Sequence, residues 1–218
     1  MTPAFVAAME EVLSVYARPV DPSRPLVCFD ESGKELQAHA RPVVAATPGQ
    51  PERIDSEYVR HGSANCFLWT APLLGRRGVT VTERRTNTDW ALAMRHLVEE
   101  DFPDAERIVL VLDNLNTHKP GALYEAFPPE IARRIWEKLE IHDTPKHGSW
   151  LNIAECELSV LRRQCLDRRI ADREALEQEV AAWVADRNTR QTRVDWHFTT
   201  ADARITLQRL YPVPRFDK

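Results

Sequence analysis

RIVLVLDN, residues 107–114, carries five successive apolar residues from Ile108 to Leu112 and then turns polar at Asp113. A strand wetted on one face alternates apolar with polar side chains. An unbroken apolar run means that both faces are covered, so this segment is expected to be a central strand with helices on either side. Asp113 then stands at its C-terminal end, where sheets containing parallel strands present functional groups to solvent. PLVCFDES, residues 25–32, has the same form: an apolar run closed by Ser32-Gly33, which predicts a second buried strand ending near Asp30.

Outward from these two strands the chain divides readily. Phe5, Val6, Met9, Val12, Leu13 and Tyr16 recur at helical spacing from Pro3 to Tyr16, and Pro19, Pro22 and Pro25 end that helix, giving an N-terminal linker arm over residues 1–24. Gln37 to Gly62 is rich in Pro, Arg and polar residues without period, as in a long loop. NCFLWTAPLLG and GVTVTERRT read as two strands, with the tight turn expected at Arg76-Arg77-Gly78. Thr88 to Phe102 has helical spacing, with Asn87 or Thr88 as its cap. Helices are expected at Pro120–Phe127 and Pro129–Leu139, a short strand at LEIHDTP, and helices at LNIAECELSVLRRQCL and DREALEQEVAAWVADRN. The order of three strands, helix, strand, helices, strand, helix, helix describes an α/β domain over residues 25–190: an RNase H-like mixed sheet flanked by helices on both faces. A tail over residues 191–218 packs on it.

At 218 residues, 43% hydrophobic and 28% charged, the chain supports one substantial core. A net charge of −4 is unlike an autonomous DNA-sequence reader, which neutralises phosphates with a basic surface. It does not exclude a nuclease, because carboxylates gathered to hold cations lower the net charge. Local basic stretches remain at Arg76-Arg77, Arg84-Arg85, Arg162-Arg163, Arg168-Arg169 and RNTRQTR from Arg187 to Arg193. Cys28, Cys66, Cys156 and Cys165 form no C-x-x-C pair, so neither a zinc knuckle nor a disulfide framework is indicated. No apolar stretch of about 18 residues appears, and the N-terminus carries acids rather than a basic leader, which points to a cytoplasmic protein.

Asp30 and Asp113, on neighbouring strands, would place two carboxylates side by side. Such a pair repels unless a cation or proton lies between, so it points to a Mg²⁺ or Mn²⁺ site, although each aspartate taken singly also suits a turn or helix cap. A third acid must come from elsewhere, and the helix from Asn152 to Leu166 offers Glu155 and Glu157. They flank the apolar stripe Leu151, Ala154, Leu158, Leu161, Cys165 on opposite sides, so the helical wheel does not choose between them. Glu155 also has the spacing of a capping box with Asn152. Glu31, next to Asp30 in a strand, is expected to point to the opposite face and is left out of the site.

DNLNTHKP, with Asp113, Asn114 and His118, and HGSWLNIAECELSVLRRQCL, with Leu151, Asn152 and Glu155, resemble the second and third acidic blocks of mariner-like bacterial insertion-sequence DDE transposases. VCFDESG around Asp30 resembles the first block, and YVRHGSANCFLW and VDWHFTTADARITLQRLYP resemble flanking segments. The resemblance covers nearly the whole chain and implies Asp30, Asp113 and Glu155 as the catalytic, metal-binding triad, with Glu155 and not Glu157 following Asn152 by three residues. It implies two Mg²⁺ ions, with Mn²⁺ substituting, and DNA end cleavage followed by attack of the freed 3′-hydroxyl on target DNA. The implied partners are transposon ends, target DNA and a second copy of the chain in a working dimer at the bacterial nucleoid. Two departures stand out. The 41 residues between Asp113 and Glu155 exceed the commonest family spacing, the excess being assigned to the helices from Pro120 to Leu139. Family members also carry N-terminal helix-turn-helix modules, and this chain is expected to begin at the linker after them.

Around the triad, His118 and Lys119 can orient or neutralise a scissile phosphate, or form a turn before Pro120. Asn114 can steady Asp113 or make a simple loop contact. Lys146, His147 and Trp150 precede the catalytic helix, Trp150 either stacking on a base or packing inside. Arg187 and Arg190 complete the candidate DNA contacts. The competing functions are an RNase H-like nuclease or resolvase without strand transfer, and an inactive relic serving as an interaction subunit.

Overall fold

The computed structural model describes residues 2–113 and 118–212. Five strands, β1 (Leu26–His39), β2 (Tyr58–Ala71), β3 (Arg76–Thr82), β4 (Ile108–Leu112) and β5 (Leu139–Asp143), form one sheet in the order β3-β2-β1-β4-β5. β1, β2 and β3 are mutually antiparallel, whereas β4 and β5 run parallel to β1 and to each other. This is the RNase H-like arrangement, a mixed sheet with helices on both faces.

All five residues of β4 are buried, as the unbroken apolar run requires. Val109 and Val111, with Cys28, face one core made with α1 (Pro3–Tyr16), α5 (Ile153–Leu161), α6 (Arg173–Thr189) and α7 (Thr200–Thr206). Ile108, Leu110 and Leu112, with Val27 and Phe29, face a second core made with α2 (Asn87–His96), α3 (Pro120–Ala126) and α4 (Pro129–Glu137). Each fully buried aliphatic side chain of these layers contributes about 1.5–3 kcal/mol. α1 contributes seven buried residues to the first core, and Arg204 of α7 pairs with Glu10 of α1 at 2.8 Å. No described helix is long and apolar enough to cross a membrane.

Several boundaries differ from those expected. β1 continues past Ser32-Gly33 to His39, because Gly33 stays extended opposite Asn65 and β2 keeps supplying hydrogen bonds along that edge. Asp30 therefore lies within β1, close to where its parallel partner stops, for β4 pairs only with Leu26–Cys28. The β2–β3 turn falls at 72–75, not at Arg76-Arg77-Gly78, which pair with Trp69, Thr70 and Ala71. Gly75 makes the turn with φ of 66°, and a β-carbon there would meet the Gln191 carbonyl oxygen at 2.6 Å. The irregular stretch shrinks to 40–57, where it folds back on itself through the bridges Val44–Arg53 and Thr47–Gln50. α2 is capped one residue earlier than expected, by Thr86, whose hydroxyl accepts from the Asp89 amide while the Asp89 carboxylate accepts from the Thr86 amide.

Candidate active site

The parallel register Val27↔Leu110, Cys28↔Val111, continued by two residues, brings Asp113 beside Asp30 just past the end of β4. α5 is fixed over this point at its first turn. Asn152 caps the helix, its side-chain oxygen accepting from the Ala154 amide at 3.1 Å, and its Nδ2 donates to the carbonyl of Phe29 at 2.9 Å. Tyr16 donates from its hydroxyl to the Leu151 carbonyl at 2.6 Å and accepts from the Ile153 amide at 3.3 Å. The start of α5 is thus tied to the residue before Asp30 and to α1.

Glu155, in the first turn, is exposed and lines with Asp30 a groove of about 800 Å³. The capping box allowed by its spacing does not form, and among the described residues its carboxylate makes no hydrogen bond or ion pair. Glu157 turns the other way. It is only 3% exposed and is held by Arg77 Nε at 2.8 Å and by Arg187 Nη2 at 2.8 Å, between β3 and α6. Arg187, expected as a DNA contact, is 13% exposed and paired with this buried carboxylate. Arg190 is exposed and pairs with Asp186 at 2.9 Å.

Burial pushes the Asp30 carboxyl up to about 7, and the neighbouring carboxylates of Asp113, Glu31 and Glu155 add to it, outweighing the Glu31 amide that donates to Asp30 Oδ1 at 2.8 Å. A carboxyl crowded by like charge is relieved by a cation. The all-oxygen donor set of Asp30, Asp113 and Glu155 fits a hard divalent ion such as Mg²⁺ or Mn²⁺.

On the opposite face of β1, Glu31 points away from Asp30 as strand alternation demands, yet it still reaches the site. Its buried Oε2 lies 3.5 Å from Nε2 of His118, and Arg85 Nη1 lies 3.6 Å from its Oε1. The His118 ring stacks on Trp90 at 5.6 Å between centroids and meets Phe29 edge-on at 6.2 Å. Its Nδ1 is 3.0 Å from both the backbone carbonyl and Oδ1 of Asp113. Ligating atoms of Glu31, Asp113 and His118 all lie within 4.8 Å of one another. Burial opposes charge on His118, but the contacts with Asp113 and Glu31 prevail and lift it to about 9, so the ring is an imidazolium between two carboxylates. His118, expected either at a scissile phosphate or in a turn before Pro120, is 1% exposed. Glu31 and Trp90 carried no sequence signal for this arrangement beyond the adjacency of Glu31 to Asp30, since the contact joins strand, loop and helix far apart in the chain.

The remaining candidates are more dispersed. Lys119 is half-exposed and pairs with Asp143 at the end of β5 at 3.2 Å. Lys146 and His147 border a depression shared with Thr2 and Phe5 rather than the groove of Asp30 and Glu155. Trp150 is 44% exposed, not packed inside. Asn114 lies outside the described residues. The groove itself is lined by Arg162, Arg168 and Arg169, two of the basic pairs noted in the sequence contributing to it. Arg169 is held there by the carbonyls of Ser56 and Glu57, and Lys34 by those of Leu166 and Arg168.

Among solved structures the chain is similar to the catalytic domain of Mos1 mariner transposase, with a TM-score of 0.54 and 13% identity over 93% of this chain and 91% of that one. It is also similar to a pre-cleavage Mos1 transpososome, with a TM-score of 0.58 and 15% identity over 94% of this chain and 60% of that one. For the Mos1 strand transfer complex the TM-score is 0.57 and the identity 17%, over 83% of this chain and 52% of that one. The chain thus spans 52–60% of the length of the Mos1 chains in these two complexes. At such identities the likeness is one of fold. Comparison with curated proteins gives no match. The model of the DDE superfamily endonuclease family matches residues 25–177, which include the whole sheet, Asp30, Asp113 and Glu155, and the chain belongs to that family.

Proposed function

We propose that this chain is the catalytic domain of a transposase, cutting DNA at transposon ends and joining the freed 3′-hydroxyl to target DNA. The observation that carries the reading is that Asp30 and Glu155 line one groove beside the C-terminal end of β4, with the carboxylates of Asp113 and Glu155 both near enough to raise the Asp30 carboxyl, in a chain of the DDE family. Asp30, crowded by the other two carboxylates, and Asp113 would be the main ligands, with Glu155 joining them. Two divalent ions held by these carboxylates would supply an activated water or 3′-hydroxyl and stabilise charge on the leaving oxygen. Mg²⁺ is the ion proposed, with Mn²⁺ substituting.

The protein's own part is placement. Asn152 and Tyr16 fix the start of α5 against β1 and so set Glu155 opposite Asp30. Arg162, Arg168 and Arg169 give the groove a basic wall for a phosphate backbone, and Trp150 offers an exposed ring for base stacking. Residues 25–190 form the catalytic body, with residues 1–24 as linker and 191–218 as packed tail. The working form is a homodimer on two transposon ends at the nucleoid of a bacterial cytoplasm, since two ends must be joined in one event.

The test is strand transfer: a short duplex with a free 3′-hydroxyl is incubated with supercoiled plasmid, Mn²⁺ and the protein. Covalently joined product is expected. Cleavage of the plasmid without joining would replace this reading by a nuclease or resolvase on the same fold.

A further inference from the structure

We infer that His118, braced from behind by Glu31, is the positioning residue that orients the Asp113 carboxylate for its cation. The inference rests on the proposed reading of Asp113 as a metal ligand. Asp113 sits one residue beyond β4, where the Thr144 amide donates to the Leu112 carbonyl at 2.8 Å. The sheet therefore does not fix the Asp113 side chain. His118 is the group packed against it: its Nδ1 donates to the Asp113 carbonyl at 3.0 Å and lies 3.0 Å from Oδ1, an ion-pair contact rather than a second hydrogen bond.

The accessible surface of Asp113 locates the other oxygen. Its side chain is 28% exposed although Oδ1 is buried, so the open oxygen is Oδ2, left free for a ligand while Oδ1 is held against the ring. The ring has little freedom of its own. Trp90 stacks on one side, Phe29 meets it edge-on, and Nε2 faces Glu31 Oε2. Both carboxylate oxygens of Glu31 are buried and lack a hydrogen-bond partner. The groups nearest them are His118 Nε2, 3.5 Å from Oε2, and Arg85 Nη1, 3.6 Å from Oε1. Glu31 and His118 thus hold each other, and their joint product is a fixed Asp113. Groups behind a ligand that fix its orientation are worth about 10–100-fold in metal affinity.

Two amides separate the ring's two nitrogens. His118→Asn places its side-chain NH₂ near the position of Nδ1, within reach of Asp113. His118→Gln places it near Nε2, within reach of Glu31 only. Mn²⁺ binding to the full chain, followed by loss of the free-ion paramagnetic resonance signal, is expected to weaken about 10–100-fold in His118→Gln and substantially less in His118→Asn. Thermal stability of both in EDTA reports packing separately. Glu31→Gln, which leaves the ring's contacts with Asp113 in place, is expected to weaken binding several-fold and serves if either histidine variant fails to fold. Wild-type affinity in His118→Gln, equal losses in the Asn and Gln variants, or unchanged affinity in Glu31→Gln would each overturn the inference while leaving the triad standing. Wild-type protein that binds no Mn²⁺ would overturn the triad reading and the inference with it, and Asp113→Ala supplies the reference for complete loss.

Discussion

At the scale of single residues, Glu155 and Glu157 have opposite occupations although the helical wheel placed them symmetrically about the apolar stripe. The wheel counted the stripe as the only inward face; Glu157 is also inward, because Arg77 and Arg187 bring positive charge to it from β3 and α6. Glu157→Ala is therefore expected to destabilise the fold by about 3–5 kcal/mol, since the buried Arg77 and the partly buried Arg187 lose their carboxylate. That corresponds to a fall in melting temperature of roughly 6–20 °C for a chain of this size. Glu155→Gln should leave the melting temperature within about 2 °C, as its carboxylate has no protein partner. Asp30 predicts the reverse sign: in EDTA, where no cation offsets Asp113 and Glu155, Asp30→Asn should raise the melting temperature by several degrees near neutral pH. No rise would mean that these carboxylates are farther apart in solution. Asp30 and Asp113 were legible in the sequence as the polar ends of apolar runs. His118 and Glu31 were not legible in their present roles, since strand alternation correctly excluded Glu31 from the face of Asp30 but could not show a histidine reaching across from the other side.

Among the elements, β4 and β5 were read within a residue or two because an apolar run bounded by polar residues leaves little choice. β1 and β2 were read too short. Ser32-Gly33 looks like punctuation, yet a glycine facing Asn65 across an antiparallel ladder is tolerated, and the extra length is a property of pairing rather than of either strand alone. The element on which the site depends most is α5, and its seat is polar: Asn152 to the Phe29 carbonyl and Tyr16 to the Leu151 carbonyl. Asn152→Ala removes a cap and leaves a buried carbonyl unsatisfied, an expected cost of about 1–3 kcal/mol by urea denaturation. It should also weaken Mn²⁺ binding, because Glu155 would lose its fixed height over Asp30. Tyr16→Phe, losing the bond to the Leu151 carbonyl from the α1 side, should cost about 1–2 kcal/mol. A stability loss in Asn152→Ala with wild-type Mn²⁺ affinity would show that the seat of α5 does not position Glu155.

For the molecule as a whole, the charge is sorted by place. Carboxylates gather where β4 ends beside β1, and a separate ionic cluster ties the segment after α1 to β5: Glu140 receives Arg18 at 2.7 Å, Arg24, and His142 at 3.0 Å. Burial opposes ionisation of Glu140, but Arg18, His142 and Arg24 prevail and hold it down to about 2, against 4.5 for an unperturbed glutamate. A carboxyl depressed in the folded state stabilises above its unfolded value and loses that contribution as pH falls through its folded one. Glu140→Gln should thus be less stable than wild type by about 1–2 kcal/mol at pH 7, the arginines being partly exposed, with the gap narrowing between about pH 4.5 and 2. A gap independent of pH in urea titrations would assign the effect to packing instead. The proposed triad beside the end of β4 is tested by Mn²⁺-dependent nicking of supercoiled plasmid, with wild type beside Asp30→Ala, Asp113→Ala, Glu155→Gln and Glu157→Gln at a temperature where all five are folded. The account predicts nicking by wild type and by Glu157→Gln, and its loss by at least a hundredfold in the other three; nicking that survives in Glu155→Gln but vanishes in Glu157→Gln would contradict it.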